Sequence, residues 1–513
     1  MSNEGGLREW KIGPQSEYRF EVDSKRPIAI KVIQGNAEVF GSEMAPGRMY
    51  LFSSECKAAI FSWEGCTIQR LDRPHGLPQP NNTSDVPPHV TGKPSTEYLS
   101  DETTMTAYAN LHLVFEQMRV RSRRAERGAT PDLTENTDTM GYEPPRVLVI
   151  GPEHSGKTTA CKILANYAVR GMAACAPVYI NLDPSDGGFT IPGTLTACPI
   201  DSPIPTSSPA NPLGISATSA PTALSSSKLI PLVHWYGHPD VQKNPRLVEH
   251  LIRVLNNNVQ ERLEDDVLSR TSGLFIDTSA NLSSIPLDDK YTLVKTTVLA
   301  FRVNMIVVIG NEKLTVEMQK LFSEQSYPDH PVTVLKIPRS PGVADLDAAY
   351  KERIQNYQLR NYFYGAPLQL PEELAGQSAG SLKLGGEASM DLTLSPHSTV
   401  LSFDDIHIYR IGQESFAPTS ALPIGASRIL GEMQPVKIDP SQPGARIVGS
   451  LLAVSSLVGV PESEEDIVDA DVIGFIVITS MDMEAKKMTV LAPVATGLSG
   501  RIVLTGSFEW QDV

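Results

Sequence analysis

Cysteine is scarce in this chain. There are five among 513 residues, and Cys56, Cys66, Cys161, Cys175 and Cys198 are widely spaced without a CxxC pair. That excludes a disulfide framework and a cysteine-based zinc centre, and leaves reduced packing residues. Positive charge is also short. Lys and Arg number 44 against 59 Asp and Glu, a formal net charge of −15, which excludes a broad cationic coat for nucleic acid. No apolar run approaches the roughly 18 residues that a membrane-spanning helix needs. The opening MSNEGGLREWKIGPQ has neither the basic start nor the apolar core of a secretory signal, so an intracellular protein away from membranes is expected. No internal repeat or sustained heptad stripe is present. What remains, 41% hydrophobic and 20% charged residues, is ordinary globular composition, and the length allows about three domains.

Residues 1–100 carry short β-branched and aromatic runs (EYRFEV, IAIKVIQG, AEVFGSE, RMYLFSS, AAIFSWEG) broken by Gly, Pro, Ser or Asn, the pattern of an antiparallel β-sandwich. A Pro/Asn-rich joint follows from Arg73 to Pro94. Met105, Tyr108, Leu111, Phe115 and Met118 recur at helical spacing, so 101–140 reads as an amphipathic helix and a basic linker. The helix end holds Arg119, Arg121, Arg123, Arg124 and Arg127, either a solvated face or a contact for RNA or an acidic partner. From 141 to 365 near-continuous apolar runs (RVLVI, PVYINL, SGLFID, NMIVVIG, PVTVLKI) alternate with helical stretches at 157–170, 245–265, 288–302 and 313–324. That alternation predicts a doubly wound, mainly parallel α/β sheet covered on both faces. The Ser/Pro/Ala-rich stretch 201–228 has no period and reads as a mobile surface insertion. Residues 366–513 return to β-type runs and predict a C-terminal β-rich domain.

Gly151-Pro-Glu-His-Ser-Gly156-Lys157-Thr158 fits GxxxxGK[ST], directly after the strand RVLVI and directly before a helix. The glycines let backbone N–H groups wrap an anion, and the helix N-terminus adds a favourable partial charge. Lys157 is expected to reach the β- and γ-phosphates, and the Thr158 hydroxyl to sit on Mg²⁺. A further carboxylate for the metal belongs at the C-terminal end of a neighbouring strand. Asp183, ending YINLD, and Asp277, ending GLFID, are both candidates, directly or through water. A guanine-reading NKxD is missing, which points to adenine.

The P-loop, then YINLDPSDGGFTIPGT with Ile191-Pro192-Gly193, then GLFIDTS and LRNYFYG, taken in order with the N-terminal AEVFGSEM and FSWEGC, resemble the Clp-type polyribonucleotide kinase family. The likeness extends along all three expected domains and is strongest for the fungal branch found in pre-mRNA cleavage and polyadenylation factor I. It implies ATP with Mg²⁺ as cofactors, a P-loop core flanked by the two β-domains, and an N-terminal sandwich covering the nucleotide. It further implies Glu17 and Lys57 as adenine contacts, Gly151 and residues His154, Ser155, Gly156, Lys157, Thr158 and Thr159 as the phosphate cradle, and Thr158 with Asp183 on the metal. The implied setting is the nucleus. The implied partners are a scaffold subunit that binds the polymerase C-terminal repeat and other cleavage and polyadenylation subunits, with RNA reached indirectly through the complex.

Active members of that family phosphorylate the 5′-hydroxyl of RNA, and this chain departs from their pattern. Where they carry a phosphate clasp, it has Trp235-Tyr236-Gly237-His238-Pro239-Asp240-Val241-Gln242, and an aspartate there repels phosphate. Where they place a stacking Trp, it reads Asp277-Thr278-Ser279-Ala280-Asn281; base stacking is worth about 1–3 kcal/mol, and Asn281 offers no comparable face. The lid between Gly342 and Gly365 has Leu346, Asp347, Ala348 and Gln355 in place of several arginines, with Lys351, Arg353 and Arg360 retained. A missing arginine finger lowers rates by about 10³–10⁵-fold. Asp186 stands where relatives carry Gln, either as a general base or as a turn residue. An ATP-holding structural subunit, not an enzyme, is the expectation. An active RNA 5′-kinase is the alternative.

Overall fold

The computed structural model describes residues 7–22, 27–71, 93–128, 142–171, 174–204, 206–214, 229–285, 287–323, 331–365, 368–369, 389–390, 397–412, 433–442, 447–459, 461, 463–493 and 497–510. Most of the expected 73–94 joint, the basic linker beyond Gly128, residues 215–228 and the run GSLKL lie outside them.

Two antiparallel sheets form the N-terminal sandwich. One orders Leu7–Ile12, Cys66–Leu71, Ile28–Gly35 and Met49–Phe52; the other orders Ser42–Met44, Ala37–Val39, Lys57–Ser62, Ser16–Val22 and Pro94–Ser100. Side chains alternate along a strand. In Ser16–Val22, Tyr18, Phe20 and Val22 therefore enter the sandwich core, which leaves Glu17, Arg19 and Glu21 for the opposite face. Antiparallel pairing sets Lys57 across from Glu21, so this face is charged.

The central sheet has seven strands in the order Leu232–Trp235, Thr194–Pro199, Val178–Leu182, Leu274–Thr278, Arg146–Ile150, Met305–Ile309 and Thr333–Ile337. The last five are parallel. Thr194–Pro199 runs antiparallel to both its neighbours, an edge the apolar runs did not announce. The Thr333–Ile337 strand is at the other edge and only partly buried, so the expectation of cover on both faces fails for it. Among the described residues, seven α-helices accompany this sheet: α1 (Met105–Glu126), α2 (Lys157–Gly171), α3 (Pro245–Asp265), α4 (Val267–Ser272), α5 (Thr292–Ala300), α6 (Glu312–Leu321) and α7 (Ala348–Tyr364).

Two sequence expectations are corrected here. The arginines at the end of α1 do not form a uniformly solvated face. Helical spacing places Arg119 on the stripe of Leu111, Phe115 and Ser122; it is fully buried, donates from Nε to the Ser272 carbonyl at 2.8 Å and lies over the Phe275 ring. Nor is the described half of the 201–228 insertion a free surface loop. Ile204 and Leu213 are fully buried, Asn166 of α2 accepts from the Ile204 N–H at 2.6 Å, and the Ser53 N–H donates to the Ser207 carbonyl at 2.9 Å.

The C-terminal sheet orders His397–Ser402, Lys487–Ala492, Val472–Asp482, Ser450–Val458, Arg501–Glu509, Ile406–Ile411 and Pro435–Ile438. One of its faces is continuous with the core on one side of the central sheet, and the other packs a separate core. Trp235 packs on Phe475 and Phe508, and Phe363 stacks on Trp510 with ring centres 5.1 Å apart. All five cysteines are free and buried, in keeping with packing roles.

Candidate nucleotide-binding site

A cavity of about 660 Å³ opens where the charged face of the sandwich meets the N-terminus of α2, the Asp183 loop and α7. Glu17, Lys57 and His154 to Thr159 all border it, so residues far apart in sequence converge on one space.

The P-loop follows from local sequence. Gly156 adopts φ +88°, and a Cβ on Gly151 would lie 2.8 Å from the Ile309 carbonyl oxygen, so neither position accepts a side chain without strain. His154 also takes a positive φ of 52° and is pinned there, since its carbonyl accepts from Arg339 Nε at 2.7 Å. The Ser155 hydroxyl is buried with no hydrogen-bond partner among the described residues. Lys157 is almost entirely buried and donates to the Pro152 carbonyl at 3.0 Å. Burial pulls its pKa below the ordinary lysine value, while Asp277 and Asp183 oppose that shift. An orphaned hydroxyl beside a buried cation at a helix N-terminus is a site with donors waiting for an anion. These residues fit a nucleotide's phosphates.

The two candidate carboxylates separate. Asp277 is fully buried, accepts from Tyr179 Oη at 3.1 Å and from the Thr278 N–H at 3.0 Å, and takes a hydrogen bond from the Thr158 side chain. Burial pushes its carboxyl up to about 6. Asp183 is half-buried on the cavity wall, where Oδ1 accepts from the Ser185 N–H and hydroxyl at 3.0 and 2.7 Å. Thr158, donating to Asp277, keeps its oxygen lone pairs for a cation, and Asp183 borders the same cavity. The residues therefore fit a divalent metal.

On the sandwich wall, Glu17 is buried, accepting from Arg19 Nε at 2.7 Å and from the Thr103 hydroxyl. Lys57 pairs with Glu21 at 2.5 Å and lies over the Tyr350 ring of α7. The lid closes against both neighbours. Tyr350 Oη donates to the Glu55 carbonyl at 2.9 Å and Arg353 Nε to Glu55 Oε1 at 2.9 Å, while Lys351 pairs with Glu153 of the P-loop. Gln355 and Gln358 donate to the Ser185 and Asp186 carbonyls at 3.1 and 3.0 Å. Asp347 is the N-cap of α7, accepting from the Tyr350 N–H at 2.6 Å. Of the three retained lid cations, Lys351 borders the cavity, Arg353 turns to Glu55, and Arg360 sits over the Tyr364 ring.

The departed clasp and stacking positions meet. Asp240 Oδ1 accepts from Asn281 Nδ2 at 3.2 Å and from the Gln242 N–H at 3.0 Å, and both Asp240 and Asn281 line the cavity. Sequence reading missed Arg19, Tyr350, Gln358 and Lys162 as cavity residues. The period-2 step from Glu17 to Arg19 was a usable signal for the first; the others depend on tertiary approach.

A P-loop core with a closing lid, capped by a β-sandwich and fused to a second β-domain, defines a kinase-like nucleotide-binding fold. Comparison with known proteins gives the family. Residues 151–365 match the family described as mRNA cleavage and polyadenylation factor CLP1 P-loop. Residues 11–122 match the N-terminal beta-sandwich domain of polyadenylation factor, and residues 394–512 the pre-mRNA cleavage complex II protein Clp1. The mRNA cleavage and polyadenylation factor CLP1 of Laccaria bicolor is 49% identical over 100% of this chain and 99% of its own. That of Mycosarcoma maydis is 32% identical over 98% of each. The chain belongs to the CLP1 family of mRNA cleavage and polyadenylation factors. A solved structure described as the extended interface between Pcf11p and Clp1p, with the basis for ATP loss in a glycine-to-arginine mutant, aligns at TM-score 0.73 and 23% identity over 99% of both chains. A wild-type Clp1p–Pcf11 complex aligns at 0.71 and 22%, again over 99% of both. At those identities the likeness is one of fold.

Proposed function

We propose that this chain is a nuclear, ATP-holding structural subunit of the pre-mRNA 3′-end cleavage and polyadenylation complex. It binds ATP with Mg²⁺ without appreciable turnover and docks a scaffold subunit, as the Clp1p of the solved complexes is paired with Pcf11. In this reading the P-loop donors and Lys157 hold the phosphates, Thr158 and Asp183 hold the metal, and Glu17 and Lys57 meet the adenine. Bound Mg²⁺ supplies charge neutralisation at the β- and γ-phosphates.

The observation that carries the reading is the engagement of the lid. Transfer of a γ-phosphoryl group needs cations aimed at developing charge and a positioned acceptor. Here Lys351 pairs with Glu153, Arg353 with Glu55, and Asp240 with Asn281 on the acceptor side. The same contacts tie α7 to the P-loop and to the sandwich, so a nucleotide beneath them joins three elements. One observation favours the kinase alternative: Asp186 borders the cavity, and burial with Asp183 nearby raises its carboxyl to about 7, suitable for a base.

The test is transfer of ³²P from γ-labelled ATP to a 5′-hydroxyl RNA oligonucleotide, together with chromatography of nucleotide released from denatured protein. The structural reading expects ATP in the eluate and no labelled RNA. Labelled RNA that disappears with Lys157→Ala would establish the kinase instead.

A further inference from the structure

A second lysine borders the cavity beyond the P-loop. Lys162 lies five residues past Lys157 on α2, about 7.5 Å further along the helix axis, and is only 7% exposed. Its Nζ has no hydrogen-bond partner among the described residues, although the side chain reaches the cavity wall. On the loop after the Val178–Leu182 strand, Asp186 also borders the cavity, and its carboxylate oxygens take no hydrogen bond from the described residues. Only its backbone is engaged, the N–H with Asp183 and the carbonyl with Gln358. Lys162 and Asp186 are electrostatic neighbours, and Cys56, the residue before Lys57, adjoins Lys162 as well.

An ammonium only donates hydrogen bonds, and a carboxylate only accepts them. A hydroxyl, of an alcohol or of water, satisfies both at once, accepting from the first and donating to the second. Position narrows the choice. Lys162 lies further along α2 than the phosphate cradle, and its electrostatic neighbours include both Asp186 and Cys56, the residue next to Lys57. A nucleotide gripped at its phosphates by residues 154–159, with its base at Glu17 and Lys57, carries its sugar between them.

We infer that Lys162 and Asp186 together hold a ribose hydroxyl of the bound nucleotide and make the cavity select ribonucleotides over deoxyribonucleotides. This rests on the ATP-holding reading and deepens it. Lys162 donates from Nζ to the hydroxyl oxygen, and the hydroxyl proton points to Asp186. The P-loop itself grips phosphates and cannot sense the sugar.

The experiment uses the full chain, stripped of nucleotide, and competes ATP against 2′-deoxy-ATP and 3′-deoxy-ATP in the presence of Mg²⁺. Losing one hydrogen bond to charged partners weakens binding by roughly 10–100-fold, so wild type should prefer ATP over at least one analogue by that factor. Lys162→Met and Asp186→Asn should bring that ratio close to one, and Lys162→Arg should restore part of it. Wild type that binds ATP and both analogues equally overturns the inference without any variant, and leaves the ATP reading intact. A preference that survives both substitutions overturns it equally. Folded wild type that binds none of the three overturns the ATP reading, and this inference with it.

Discussion

Replacing Lys157 with methionine keeps the length and apolar stem of a buried side chain and removes the cation that faces the candidate phosphate position. Hydrogen bonds to charged groups are worth about 1.5–3 kcal/mol each, so losing about 3 kcal/mol of binding weakens ATP by roughly 150-fold. With ATP at about 1,000 times Kd, mass action stabilises the wild-type fold by about 4 kcal/mol; after a 150-fold loss the increment falls to about 1 kcal/mol. For a nucleotide-binding unit of this size each kcal/mol corresponds to roughly 2–4 °C. The ATP-dependent rise in Tm should therefore shrink by about 6–12 °C in Lys157→Met. Scanning fluorimetry of stripped protein, with and without ATP and Mg²⁺, reads the increment within each protein. Any effect of Lys157→Met on the empty fold, where Asp183 and Asp277 lose a counter-charge, then cancels. Equal increments in both proteins, or none in wild type, would refute the assignment of the cavity to a triphosphate.

Gly506→Ala should break the seam between the central and C-terminal sheets, because the new Cβ would lie 2.1 Å from the Gly237 carbonyl oxygen and neither backbone can yield. A loss of about 3 kcal/mol or more is expected in denaturant unfolding, whereas Gly474→Ala, whose Cβ would meet only the Tyr362 hydroxyl at 3.4 Å, should be close to neutral. Burial pulls the His234 imidazole below 6.5 although Asp471 opposes the shift, so the fold holds it neutral. As pH falls below about 6.5 the unfolded chain takes up the proton first, and stability is lost by up to about 1.4 kcal/mol per pH unit until the folded pKa is reached. A Tm series from pH 7.5 to 5 should be shallower for His234→Gln; an unchanged slope counts against the assignment.

Much of the fold was legible because its signals are local. RVLVI, YINLD and GLFID are largely apolar runs buried except at Arg146 and Asp183, and GPEHSGKT dictates its own loop through glycine positions and the helix that follows. The antiparallel edge was not legible, since Thr194–Pro199 (TLTACP) is not an apolar run, Leu232–Trp235 has only four residues, and the unperiodic stretch between them hides their pairing. Arg119 misled for a different reason. Five arginines close together read as a solvated helix end, but the period that buries Phe115 also buries the residue four positions on, and the Ser272 carbonyl is there to receive it. Lys162, Tyr350 and Gln358 have no sequence signal of their own; their places follow from the sandwich, α2, the Asp183 loop and α7 closing on one cavity.

The departures from the kinase pattern also change meaning once their neighbours are visible. Read singly, Asp240 is a repulsive charge where a phosphate clasp is expected, and Asn281 is a lost stacking surface. In space each supplies what the other needs: a carboxylate at the cavity wall requires a donor, and the Asn281 amide provides one at 3.2 Å. The lid follows the same logic. Gln355 is a missing arginine by sequence, yet its amide reaches the Ser185 carbonyl, and Gln358 one turn on holds the Asp186 carbonyl. A guanidinium in place of the Gln355 amide would bring a full charge near Asp183 and Asp186 and compete for the same carbonyl. The substituted positions are thus bonded within two local sets, Asp240 with Asn281 on the acceptor side and the lid glutamines with the Asp183 loop. Restoring an aromatic residue at 281 alone would take away the Asn281 amide that Asp240 now accepts from.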